Sequence, residues 1–167
     1  MAHLIRFLMQ DHARINRAFE AYANAPSNLD LALTACGELE VHSAIEEDVL
    51  YPAVRDELDA NEADAAEQEH AEAQELIDAV SDMEPGDPDL PAVMHDLMQA
   101  VARHIDHEEA VVFPALQKVL LARVWDLGRE AFAIRQEMLG QGNRPSQQAK
   151  AVPNAGWARG SVANAGW

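Results

Sequence analysis

VHSAIEEDVLYPAV, Val41–Val54, and RHIDHEEAVVFPAL, Arg103–Leu116, are two copies of one pattern. His, Glu-Glu, Val, an aromatic, Pro and Ala recur at matching places, which marks an internal duplication. Each copy sets His and Glu four residues apart, His42 with Glu46 and His104 with Glu108. Four residues turn a helix by about 400° and leave two side chains on the same face, about 6 Å apart along the axis. Upstream, Asp11-His12-Ala13 pairs with Glu69-His70-Ala71 at a similar distance. Two helix pairs are therefore expected, each contributing one lone His and one H-x-x-x-E.

The flanking sequence supplies the helices. Ile5, Leu8, His12, Ile15, Phe19 and Tyr22 share one stripe and predict a first helix over about residues 3–23. A loop follows at Asn24 to Ser27, with Ser27 and Asp30 placed as an N-cap and its N3 partner, and a second helix runs to about residue 58. Ala66, His70, Ala73, Ile77 and Val80 predict a third helix, ended near Ser81 by the Gly and Pro residues of DMEPGDPDLP. Pro91 suits the first turn of a fourth, whose stripe Leu97, Val101, His104, Glu108, Val111 and Ala115 carries it to about Leu120. The fold class expected is all-α, an antiparallel up-down four-helix bundle over residues 1–120. Residues 121–139, with Trp125, Phe132 and Leu139 seven apart, predict a further amphipathic helix that caps the bundle or forms a homodimer. Residues 140–167 form a Gly, Pro and Ala-rich flexible tail, an inert extension or a docking segment in which Asn154-Ala155-Gly156-Trp157 is echoed by Asn164-Ala165-Gly166-Trp167.

Composition narrows the function. The net charge is -17 across 167 residues, and all 29 acidic residues precede residue 138, whereas the basic Arg144, Lys150 and Arg159 follow it. Such a field repels phosphate backbones, so nucleic acid is not expected as a partner. No apolar run approaches a bilayer span and the first residues lack a secretory pattern, so a cytoplasmic protein without membrane attachment is expected. The single Cys36 offers neither a disulfide nor a cysteine metal cluster and reads as a small buried hydrophobe.

The histidines of the motif each replace an apolar member of a buried stripe. Four imidazoles and two carboxylates in a bundle core are very costly unless cations neutralise them, whereas an isolated H-x-x-x-E would be only a weak surface ion pair. Six convergent ligands with twofold pseudo-symmetry suit two ions, and imidazole with carboxylate but no thiol favours iron over manganese or zinc.

The order His12, His42-x-x-x-Glu46, His70, His104-x-x-x-Glu108 resembles the hemerythrin family and its HHE cation-binding domain, over about residues 3–120. The resemblance implies an oxo- or hydroxo-bridged pair of Fe ions with Glu46 and Glu108 as bridging ligands. Ferritin-like bundles use paired E-x-x-H motifs, and this chain has one, Glu67 to His70. The oxygen-carrying relatives have a fifth histidine on the third helix; here the positions four before and after His70 are Ala66 and Gln74. Glu67, Gln74 and His107 are candidates for the gap, as ligands or as groups behind the ligands. Tyr51, nine residues beyond His42, is expected to point away from the metal face and to pack at the Pro52 bend; His3 and His95 are expected on the surface.

An open coordination position accepts O2, H2O2 or NO. Two classes of function stay open: breakdown of peroxide or nitric oxide in the manner of a peroxidase or catalase, and iron or oxygen sensing or reversible oxygen binding without turnover. No catalytic group separate from the metal site is visible.

Overall fold

A computed structural model describes residues 3–142, and the expected tail at 140–167 lies almost wholly outside them. Helix α1 spans Leu4–Ala23. Helix α2 runs through Leu29–Ile45, a wider π-type turn Glu46–Leu50, and Tyr51–Glu57. Helix α3 is Ala60–Ser81. Helix α4 runs through Leu90–His107, a second π-type turn Glu108–Val112, and Phe113–Leu120, and α5 is Arg123–Gly142. No strand occurs among the described residues. The helix that follows the first loop is capped by Asn28, whose side chain accepts the Leu31 N–H, rather than by Ser27. The loop itself is closed by the Tyr22 hydroxyl, which donates to the Pro26 carbonyl at 2.6 Å. Gly86, at φ 91°, makes the turn between α3 and α4 that a side chain would strain.

The core is divided in two. One apolar cluster holds Leu4 and Leu8 of α1, Val49 and Val54 of α2, Ala63 of α3 and Leu116 of α4. The other holds Ile15 and Phe19, Leu29 and Leu39, Ile77 and Val80, and Leu90 and Leu97. Successive helices pass between these clusters in alternating directions, which is the antiparallel bundle. His12, His42, Glu46, His70, His104 and Glu108 lie in the layer between them, each at most 7 % exposed. Cys36 is buried in the second cluster, and burial pushes its thiol up to about 11.

Helix α5 lies alongside α1 and α2 and packs through Val124, Ala131, Ile134, Arg135 and Met138. The expected stripe Trp125, Phe132 and Leu139 faces outward instead. The helix carries a second apolar stripe, Val124, Leu127, Ala131, Ile134 and Met138, and that stripe takes the inner face. His95 is exposed as expected, whereas His3 is half-buried with its ring edge-on to Trp125.

Candidate metal centre

The two H-x-x-x-E copies sit where α2 and α4 cross the middle of the bundle, and both break regular helix in the same way. Pro52 and Pro114 have no N–H to give to the carbonyl four residues back, and their rings crowd it, so the preceding turn widens. In each widened turn the next residue bonds to the carbonyl of the site glutamate: Tyr51 N–H to Glu46 and Phe113 N–H to Glu108. A turn closed over five residues stacks the aromatic above its glutamate. Tyr51 therefore turns into the site and not away from it, which corrects the expectation drawn from regular helical phase. Its hydroxyl oxygen is 2.8 Å from His70 Nε2, 3.2 Å from Glu46 Oε2 and 3.4 Å from His104 Nε2. Phe113, at the equivalent place, stacks on His12 with ring centroids 5.5 Å apart.

The ligand-type atoms form two groups that share Glu46. His12, His42, Glu46 and Glu108 offer atoms all within 4.8 Å of one another, and so do Glu46, His70 and His104. Each carboxylate faces both ways. Glu46 Oε1 lies 3.2 Å from His42 Nε2, and its Oε2 lies 3.2 Å from His70 Nε2 and 3.5 Å from His104 Nε2. Glu108 Oε2 lies 3.3 Å from His12 Nε2 and its Oε1 3.6 Å from His104 Nε2.

A set of outer carboxylates fixes the tautomers. His12 Nδ1–H donates to Glu109 Oε1 at 2.8 Å, His104 Nδ1–H to Glu69 Oε2 at 2.8 Å, and His70 Nδ1–H to Glu47 Oε1 at 3.3 Å. A carboxylate only accepts, so Nδ1 carries a proton in each, and once the ring is neutral its Nε2 lone pair faces inward, the orientation a cation requires. The second glutamate of each copy thus reaches across to the lone histidine of the other helix pair. His42 differs: its Nδ1 has no partner, and Asp11, which corresponds in sequence to Glu69, is taken by Arg135. Arg135 Nη1–H donates to Asp11 Oδ1 at 2.9 Å and Nη2–H to Glu38 Oε2 at 2.7 Å, with Arg14 also against Asp11.

Without a cation the layer is badly matched. His12 Nε2, His42 Nε2, Glu46 Oε1 and both Glu108 oxygens are buried without a hydrogen-bond partner, and His70 Nε2 lies 3.3 Å from His104 Nε2. Burial disfavours charge on His12, yet Glu108 and Glu46 outweigh it and carry the imidazole up to about 10; the same balance, led by Glu46, carries His104 to about 9. Burial depresses His42 to about 3. Glu108 is raised to about 7 by burial and by Glu46, while Glu46, despite burial, is held low by the surrounding histidines. A buried lattice of opposed charges and orphaned lone pairs is what a bound metal would satisfy, and the donor set fits one.

The three candidates for an added ligand lie elsewhere. Glu67 pairs with Arg55 at 2.7 Å, Gln74 donates to Asp78 at 2.7 Å, and His107 is half-exposed against Glu62. Among the groups that the sequence reading missed are Tyr51, whose signal was the proline one residue later, and the outer carboxylates Glu47, Glu69 and Glu109.

Comparison with known proteins agrees with this geometry. The model for the hemerythrin HHE cation-binding domain matches residues 3–116. A DNA nickase from Nostoc sp. (strain PCC 7120 / SAG 25.82 / UTEX 2576) is 25 % identical over 116 residues, 68 % of this chain and 33 % of the nickase, so the chain spans about a third of that protein. No solved structure matches the chain. The His and Glu layer between two apolar clusters, with a family match covering all four helices that build it, makes this chain a member of the hemerythrin HHE cation-binding family.

Proposed function

We propose that the chain holds two iron ions and uses them to bind and break down small oxidants, hydrogen peroxide or nitric oxide. One observation carries this: two buried carboxylates each span two imidazole groups, and His12 Nε2, His42 Nε2, Glu46 Oε1 and both Glu108 oxygens face inward without a hydrogen-bond partner. His12 and His42 would hold one ion, His70 and His104 the other, with Glu46 and Glu108 touching both. Imidazole with carboxylate and no thiol favours iron. Bound iron supplies redox chemistry and open coordination positions for O2, H2O2 or NO.

The chain's own residues prepare that chemistry. Glu109, Glu47 and Glu69 keep three imidazoles in the tautomer that faces inward. Burial, then Glu46 and Glu108, push the Tyr51 phenol well above its usual range, so it stays protonated and offers a proton beside His70. The apolar clusters above and below close the two ends of the layer.

Purified protein is expected to contain about two irons per chain and to consume hydrogen peroxide or nitric oxide over many turnovers. Slow bleaching in proportion to protein would remove the turnover reading. The second reading, sensing, draws on the position of the site: it interrupts the core, so metal loss leaves buried polar groups unsatisfied. It requires helix content to fall when iron is removed, and an unchanged apoprotein circular dichroism spectrum would exclude it. The nickase likeness prompts a third assay. With a net charge of -17, the chain is expected to leave duplex DNA unshifted on a gel at physiological salt.

A further inference from the structure

A cavity of about 270 Å³ opens between α3 and α4 and ends on the proposed iron site. Its floor is His104, Glu108 and the Tyr51 side chain, and its walls are Val54, Val112 and Ala66. Its rim carries Ala65, Glu62, Glu69 and His107, with His107 and Glu62 paired across the two helices. Ala65 and Ala66 are what keep the α3 wall low. On another side of the same layer, the cleft among Leu39, Ser43, Ala73, Ile77 and Ala100 has a volume of about 20 Å³, room for about one water. Larger hollows, about 990 Å³ between α1 and α5 and about 510 Å³ at the α1–α2 loop, include none of the six site residues.

We infer that the Ala66 cavity is the route by which small ligands reach the centre, and that it favours neutral molecules over anions. The inference rests on the proposed metal site and adds its access path. Size favours this side, since the cavity of about 270 Å³ has room for a ligand of several atoms and the opposite cleft of about 20 Å³ for about one water. Charge sets a limit: Glu62 and Glu69 stand at the rim, on a strongly acidic chain. Like-charge repulsion slows anions, and salt relieves it.

Stopped-flow binding of nitric oxide and of azide to the iron-loaded protein tests the route. Ala66→Leu and Ala66→Phe narrow the cavity in two steps, and Ala100→Phe does the same to the opposite cleft. With iron content unchanged, the Ala66 variants are expected to slow both ligands progressively, by about tenfold for Phe, while Ala100→Phe leaves the rates alone. Azide binding to the unaltered protein is expected to speed up with ionic strength, and nitric oxide binding is not. In xenon-pressurised crystals of the protein as purified, a xenon site beside Ala66 and Val112 is expected, and it should vanish in Ala66→Phe. Unchanged rates in both Ala66 variants, or slowing by Ala100→Phe, would overturn the route. A flat azide salt profile would overturn the charge filter. Absence of any iron or azide band in the unaltered protein would instead sink the metal reading on which the route stands.

Discussion

The two halves of the centre descend from one repeated pattern and have diverged at two places. Around His70 and His104 stand Tyr51 and Glu69; around His12 and His42 stand Phe113 and Asp11. In the first half an aspartate that matches Glu69 has been turned toward Arg135 of the fifth helix, and His42 is left without an acceptor on Nδ1. In the second half a hydroxyl replaces a bare ring edge. The shared His and Glu side chains set what the site could hold, and the unshared ones make its two ends chemically unequal: one end is tied to the added helix, and the other carries a hydroxyl beside the Ala66 cavity.

The largest expected effect comes from removing what the halves share. Glu46→Gln should strip both ions, because Glu46 belongs to both ligand groups, whereas Glu108→Gln should weaken the His12 and His42 end more; metal analysis and iron spectroscopy of each variant check this. Equal loss from both ends in Glu108→Gln would erase the distinction. Next comes the clamp on the first half. Arg135→Met removes the buried cation that joins Asp11 to Glu38, leaving Asp11 with Arg14 alone, and should destabilise the protein by about 1–3 kcal/mol in chemical denaturation. Adding Asp11→Asn should recover part of that loss.

Acidity sharpens the comparison in the metal-free protein. His12 at about 10 and His104 at about 9 are raised, so the stability they contribute is full below their unfolded value and lost as pH rises through 9 to 10. His42 at about 3 and Glu46 are lowered, so their contributions are present above the unfolded values and lost as pH falls through their folded ones. Glu108, raised to about 7, opposes them by removing stability as pH climbs to 7. Thermal melts across pH should therefore show an alkaline decline in the apoprotein that disappears with iron bound, because metal-held imidazoles are already neutral. The smallest effect is that of Tyr51→Phe, which makes the second half match Phe113. Losing the hydroxyl should cost about 1 kcal/mol in the apoprotein while iron content stays whole.

Much of this was legible in the chain. The stripes on α1 and α3 located His12 and His70, and the duplication paired His42 with Glu46 and His104 with Glu108, because a helical period projects directly onto a buried face. Tyr51 was misplaced because a period of 3.6 holds only where the helix is regular, and Pro52 widens the turn just before it. Arg135 was invisible for a different reason. Its partners Asp11 and Glu38 lie 124 and 97 residues away, and no local pattern encodes a contact between distant helices. The inner face of α5 was missed because the reading followed Trp125, Phe132 and Leu139, whereas Val124, Leu127, Ala131, Ile134 and Met138 form a second apolar stripe beside the buried Arg135.

Diffraction from iron-loaded crystals, measured across the iron absorption edge, tests the central claim most directly. The account predicts two anomalous peaks about 3.5–4 Å apart, one bound by His12 and His42, the other by His70 and His104, with Glu46 and Glu108 on both. A single peak, or ions held only by the outer carboxylates Glu47, Glu69 and Glu109, would contradict it.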